Sequence, residues 1–133
     1  MAITQGAHHI GLTLPNIQAT RDFFVNVLEF KQVGERPQYP AYFVSDGSVL
    51  IPLWQATEPN NATPFDRKHN IGLHHLALKV TDIDTLHRVY QTLLKTEEVT
   101  IEFPPEPASG GPSQHLMAYI PGGIRLEMIA SGS

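Results

Sequence analysis

The side chains in this sequence best suited to hold a divalent cation or move a proton are histidines and one glutamate, and they recur in a pattern. Residues 8–14 read His-His-Ile-Gly-Leu-Thr-Leu, and residues 74–80 read His-His-Leu-Ala-Leu-Lys-Val. The two stretches match without a gap at an offset of 66 residues, pairing His8 with His74, His9 with His75, Ile17 with Ile83, Phe24 with Tyr90 and Leu28 with Leu94. A chain of 133 residues with that internal offset is two half-size modules, each delivering a histidine pair. Near the end, Gly123-Ile124-Arg125-Leu126-Glu127-Met128-Ile129 sets Glu127 inside an otherwise apolar strand. A carboxylate is costly to bury there unless it is paired or bound to a metal.

Side chains on a strand alternate between faces. Ile10, Leu12 and Leu14 share a face with His8, whereas Gly11 and Thr13 share the other with His9. In the repeat, Leu76, Leu78 and Val80 accompany His74, while Ala77 and Lys79 accompany His75. The branched aliphatic face must pack on a helix. The face with Gly11 or Ala77 is uncrowded and can line a cavity. Alternation therefore nominates His9 and His75 and leaves His8 and His74 as structural or surface residues at the strand starts. Together with Glu127 they make a three-point site for one divalent metal ion (manganese, iron, nickel or zinc) with open positions. Open positions are what a Lewis-acid catalyst or a dioxygen-activating iron needs.

The elements that must position these residues can be read in order. A strand over 8–14 stops at Pro15-Asn16, and Asn16 is a helix N-cap candidate. Ile17, Phe24, Val27 and Leu28 then lie on one face of a helix ending near Leu28. Strands near 30–34, 41–45 and 48–54 follow, the last two joined by Asp46-Gly47, a tight-turn signal. The first module thus occupies 1–55 and a polar linker 56–70. The second module, 71–133, repeats the order with a strand over 72–80, Asp82 as N-cap, a helix carrying Ile83, Leu86, Tyr90, Leu93 and Leu94 on one face, and a strand near 99–103. A long loop over 104–112, rich in proline and glycine, precedes strands near 114–120 and 123–130. Both modules belong to a single domain over 1–133.

Bulk composition narrows the partners. Nine Lys and Arg against 13 Asp and Glu give a net charge of −4, with no basic run to mark a phosphate-binding face, so nucleic acid is not an expected partner. The absence of cysteine removes disulfides, thiolate metal sites and a cysteine nucleophile, and fits a reducing compartment. The start, Met-Ala-Ile-Thr-Gln-Gly, lacks the basic and apolar segments of a secretory signal. No apolar run approaches the roughly 20 residues that span a bilayer. These features point to a cytoplasmic protein without a membrane partner, and the Asn61-Ala62-Thr63 sequon is then a chance occurrence.

Taken together, His9-Ile10-Gly11-Leu12 and His75-Leu76-Ala77-Leu78, each before a helix, and the closing Pro121-Gly122-Gly123-Ile124-Arg125-Leu126-Glu127 resemble the vicinal oxygen chelate superfamily. That superfamily includes glyoxalase I, fosfomycin-resistance proteins, extradiol dioxygenases and bleomycin-resistance proteins. The resemblance covers nearly the whole chain. It implies an α+β fold of two tandem βαβββ modules forming a curved mixed sheet around a metal-containing cleft. It also implies ligands from the first and last strands of the modules, onto which His9, His75 and Glu127 map. The fourth ligand of glyoxalase I would fall at Pro52, which has no donor, and Gln55 is the nearest alternative but out of register. Where dioxygenases and thiol transferases carry a tyrosine, this chain has Met117, with His115 and Tyr119 on the same strand face.

The resemblance implies a metal-dependent enzyme acting on a small oxygen-bearing substrate, with a glyoxalase-like lyase or isomerase step as the leading expectation. A non-haem iron dioxygenase and a non-catalytic binding protein are the alternatives. His115, or Glu127 released from the metal, is the candidate acid or base. Trp54, Met117 and Tyr119 are candidates for the substrate pocket, with Phe65 beside Trp54 at a hydrophobic mouth. His69 and His87 are expected to face solvent. Family members often dimerise, some by exchanging modules, so a homodimer is expected.

Overall fold

Each histidine-bearing stretch opens a β-α-β-β-β series. The computed structural model describes residues 1–132. It forms two compact units, one from Met1 to Ala62 and one from Thr63 onward. The first contains β1 (Leu12–Leu14), α1 (Ile17–Asn26), β2 (Lys31–Arg36), β3 (Ala41–Ser45) and β4 (Leu50–Gln55), followed by a short 3-10 turn at Pro59–Asn61. The second contains β5 (Leu76–Val80), α2 (Ile83–Leu94), β6 (Thr100–Pro107), β7 (Gln114–Tyr119) and β8 (Arg125–Ala130). Each unit has its own four-stranded mixed sheet, in the orders β1-β4-β3-β2 and β5-β8-β7-β6. In each, the first strand runs parallel to the last, and the remaining pairs are antiparallel. The expected α+β fold of two βαβββ modules is therefore what the chain adopts.

The caps lie where the sequence places them. Asn16 accepts the Ala19 N–H at 3.1 Å and Asp82 accepts the Thr85 N–H at 2.7 Å, relieving amides that α1 and α2 cannot satisfy internally. The Asp46-Gly47 turn closes with Asp46 Oδ1 accepting from Ser48 and Val49 at 2.8 and 2.9 Å, while Gly47 takes a φ of +96° that other residues rarely adopt. Alternation holds as well. Leu12, Leu14, Leu76 and Leu78 are buried against the helices, and Gly11, Thr13, Ala77 and Lys79 are exposed on the opposite faces. Phe24 anchors the first core edge-on between Phe23 and Phe30, at 5.8 and 5.0 Å. Leu86, Leu93, Leu116 and Leu126 anchor the second.

Four expectations need correction. The strand expected over 72–80 is Leu76–Val80, so His74 and His75 precede it. The first strand is Leu12–Leu14 rather than 8–14; upstream there is only an isolated bridge between His9 and Leu50. The cause is Pro52. Ile10 N–H donates to the Leu50 carbonyl at 3.1 Å, but the next rung of a parallel ladder needs an N–H from residue 52, and proline has none. Helix α1 ends at Asn26 rather than near Leu28, because Glu29 turns the chain with a φ of 61°. The expected loop over 104–112 is strand as far as Pro107. Its prolines are tolerated because β6 is an edge strand whose pairing with β7 shifts register on either side of Phe103. No described helix is long and apolar enough to cross a membrane.

Candidate functional site

Strand β8 carries Glu127 on the sheet face turned away from α2, opposite the small Ala77 of β5 and beside Met117 of β7. The alanine leaves room for the residue two positions earlier, His75, to reach across diagonally. His75 Nε2 stands 3.0 Å from Glu127 Oε1. From the other side, His115 Nδ1 stands 2.8 Å from Glu127 Oε2. The carboxylate is 13% exposed, so both imidazoles act on it out of bulk water. The His115 ring rests on Phe103, with centroids 4.9 Å apart. Glu127 thus has one histidine against each oxygen, His115 by hydrogen bond and His75 by close approach.

Behind His75 lies a second polar cluster. Arg125, only 7% exposed, makes a bidentate pair with Glu102: Nε donates to Oε1 at 2.8 Å and Nη2 to Oε2 at 2.7 Å. Its Nη1 donates to His74 Nδ1 at 3.3 Å. Arg67 donates to the Tyr119 hydroxyl at 2.6 Å and to Glu102 Oε1 at 3.3 Å. The hydrogen bond from Arg125 holds the Glu102 carboxyl below its usual range, and that carboxylate in turn raises Arg125. Desolvation, and then the charge of Arg125, push His74 below the ordinary histidine range.

The sequence-nominated residues divide accordingly. His75, Glu127 and His115 come together. Met117 is buried directly beside Glu127 in the β7–β8 register. Tyr119 faces Arg125 instead and belongs to the Arg67 cluster, with Phe65 tilted against it at 6.5 Å. Arg125, Glu102 and Arg67 were not nominated. A signal was available: an arginine on a central strand, two residues before Glu127, demands an anion beside it, and Glu102 interrupts the apolar run Ile101-Glu102-Phe103. His87 is exposed and bonded to Gln114 at 3.1 Å, and His69 is exposed and bonded to Asp66 at 2.8 Å.

In the first unit His9 is exposed, with its Nδ1 2.9 Å from His8 Nδ1. Trp54 lies on the same sheet face. Tyr39 and Phe43 meet it edge-on at 4.4 and 5.8 Å, and the backbone of Gly11 lies close against it. Gln55 is occupied elsewhere: its Oε1 accepts the Ile17 N–H at 3.2 Å and its Nε2 donates to the Pro15 carbonyl at 2.6 Å, latching the start of α1.

Among the described residues, no three or more histidine, aspartate or glutamate side chains converge in a geometry ready to hold a metal ion. In the second unit His75 and Glu127 offer donors of the type such a site uses. Bonds of ~2.1 Å from a first-row metal to nitrogen and oxygen put adjacent ligand atoms ~3.0 Å apart at octahedral angles and ~3.4 Å apart at tetrahedral ones. His75 Nε2 and Glu127 Oε1, 3.0 Å apart, match the octahedral separation. The donor set, imidazole plus carboxylate with a second imidazole on the far oxygen, fits a divalent transition metal.

Residues 8–92 match the family model described as the glyoxalase/bleomycin resistance protein/dioxygenase superfamily. The chain belongs to that superfamily. Solved structures of the vicinal oxygen chelate fold agree with it. A glyoxylase/bleomycin resistance protein/dioxygenase domain from Frankia sp. EAN1pec superposes with a TM-score of 0.82 at 20% identity, covering 98% of this chain and 99% of that one. The glyoxalase family protein from Enterococcus faecalis gives 0.74 at 22% identity, over 96% and 99% of the two chains. The fosfomycin resistance protein FosX from Listeria monocytogenes gives 0.70 at 16% identity, over 97% and 95%. At these identities the superpositions establish the fold alone. Comparison with curated protein sequences gives no match.

Proposed function

We propose that this vicinal oxygen chelate protein is a divalent-metal-dependent enzyme that performs a glyoxalase-like lyase or isomerase step on a small oxygen-bearing substrate. The observation that supports it is the pairing of His75 Nε2 with Glu127 Oε1 at 3.0 Å while His115 holds the other carboxylate oxygen at 2.8 Å. His75 and Glu127 would hold the ion. His9, the counterpart of His75 in the first module, would supply the third ligand, from the same chain or from a second copy. A metal there supplies Lewis acidity, polarising a substrate carbonyl or hydroxyl and stabilising the negative charge that develops.

The proton work falls to His115. With Nδ1 bonded to Glu127 Oε2, its Nε2 is the atom left to exchange a proton with substrate, and the carboxylate fixes the ring and stabilises the imidazolium that forms. Phe103 covers one side of the ring and limits its rotation. Lyase and dioxygenase chemistry both draw on the same residues, and assay separates them.

The test is metal content after loading with manganese, iron, nickel or zinc, repeated for His9→Ala, His75→Ala and Glu127→Ala. One equivalent in the native protein, lost in each variant, is expected. No stoichiometric metal from any of the four overturns the proposal. Loss of hemithioacetal absorbance with methylglyoxal and a thiol supports the lyase step, whereas oxygen uptake with catechols in its place overturns that step in favour of a dioxygenase.

A further inference from the structure

The histidine preceding His75 has a defined partner on each side. His74 Nδ1 lies 2.8 Å from His75 Nδ1 and 3.3 Å from Arg125 Nη1. A guanidinium can only donate, so the nitrogen that faces it must accept. His74 therefore carries its proton on Nε2 and offers the Nδ1 lone pair. That nitrogen has one lone pair, so the short contact to His75 is a hydrogen bond only if His75 brings the hydrogen on its own Nδ1 and shares the lone pair with the longer contact from Arg125. That leaves His75 Nε2 as a bare lone pair beside Glu127 Oε1, 3.0 Å away.

We infer that His74 is a positioning residue: held as an acceptor by Arg125, it fixes His75 in the Nδ1–H tautomer and so presents Nε2 as the metal-ligating atom. The inference rests on the proposed role of His75 and Glu127 in metal binding. A neutral imidazole nitrogen and a carboxylate oxygen at that distance are both acceptors, and their lone pairs repel unless a cation sits against both. The chain Glu102, Arg125, His74, His75, Glu127 is continuous by hydrogen bond or close contact, so the Glu102–Arg125 ion pair sets the tautomer two residues away. Ligating histidines generally have the second nitrogen fixed in this way by a carbonyl or carboxylate; here another imidazole takes that part.

The first module repeats the contact without the direction. His8 and His9 meet Nδ1 to Nδ1 at 2.9 Å, with rings as nearly perpendicular as those of His74 and His75. Among the described residues, however, no arginine stands against His8. At the place where the second module has Arg125, opposite the histidine, the first has Leu50. The tautomer is therefore imposed at His75 and left free at His9.

Imidazole 15N–1H correlation spectra of the metal-free protein, recorded at a pH where the rings are neutral, test this without reference to activity. His74 is expected as the Nε2–H tautomer and His75 as Nδ1–H. In His74→Leu, His75 should move toward Nε2–H and zinc affinity should fall about 10- to 100-fold. In His74→Asn, whose side-chain oxygen can accept in place of Nδ1, both should recover. A native His75 carrying its proton on Nε2, or a His74→Leu variant with the His75 tautomer unchanged, overturns the inference. If the native tautomers are as stated but zinc does not bind, the inference stands and the metal reading fails.

Discussion

Pro52 and Glu127 occupy the same position in the two modules. Glu127 faces Ala77 across the parallel pair of β8 and β5, and the register of β4 with β1, Leu12 opposite Leu53, sets Pro52 across from Gly11, the counterpart of Ala77. The first module thus has a residue with neither a side-chain donor nor an N–H where the second has its carboxylate. That substitution accounts for both the shortening of β1 and the loss of symmetry in the candidate ligand set.

His115 should matter to metal binding without touching the metal. Its Nδ1–H fixes Glu127 Oε2 and so orients Oε1 toward His75. His115→Ala is expected to weaken zinc binding by about 10- to 100-fold, the usual cost of losing such an orienting partner. Competition with a chelating dye measures it, and circular dichroism checks that the fold persists. Unchanged affinity would show that the carboxylate needs no second imidazole.

Gln55 separates a latch from a ligand. It satisfies the first amide of α1 through Oε1 and holds the Pro15 carbonyl through Nε2. Gln55→Leu should cost about 1–2 kcal/mol in urea unfolding, the scale of losing a cap and a side-chain hydrogen bond. Metal stoichiometry should not change. A variant of native stability that binds metal less tightly would assign Gln55 to the site instead.

Gly11 is required by a close approach. A Cβ added there would lie 3.2 Å from Trp54 Nε1. The indole cannot easily retreat, since Tyr39 and Phe43 brace it edge-on. Gly11→Ala should therefore destabilise by about 1–2 kcal/mol through overpacking and displace the ring. Trp54 is the sole tryptophan, so its emission reports the shift directly. An unchanged spectrum and melt would mean that the aromatic cluster is not braced.

The duplicated strand-helix order, both N-caps and the position of Glu127 were legible because each depends on local chemistry: alternation, a side-chain oxygen before a helix, a carboxylate among aliphatics. What was not legible depends on pairing across the sheet. Pro104, Pro105 and Pro107 read as loop because a proline's cost depends on whether its N–H side faces a neighbour, and only the strand order shows β6 to be an edge. Pro52 shortened β1 because its missing N–H falls on the side of the parallel partner. The roles of His74 and Tyr119 were hidden for the same reason. Both are set by Arg125 and Arg67, which lie 51 and 52 residues away from them, respectively.

The Glu102–Arg125 pair gives a stability signature with a definite sign in pH. Arg125 is almost fully buried and its guanidinium needs the Glu102 carboxylate. The hydrogen bond from Arg125 depresses the Glu102 pKa, so the folded state binds that proton more weakly than the unfolded chain does. The stabilisation is therefore fully present above the ordinary carboxylate range and is lost as the pH falls through the depressed folded value. Glu102→Gln keeps the shape and removes the charge. It should cost about 2 kcal/mol at neutral pH, the scale of a charge-assisted hydrogen bond to a buried partner. Below that depressed value native and variant proteins should converge, because Glu102 is then neutral in both states. Urea unfolding followed from pH 7 down through that value checks both arms. A stability difference that stays constant across that span would mean that packing, rather than the carboxylate charge, holds Arg125 in place.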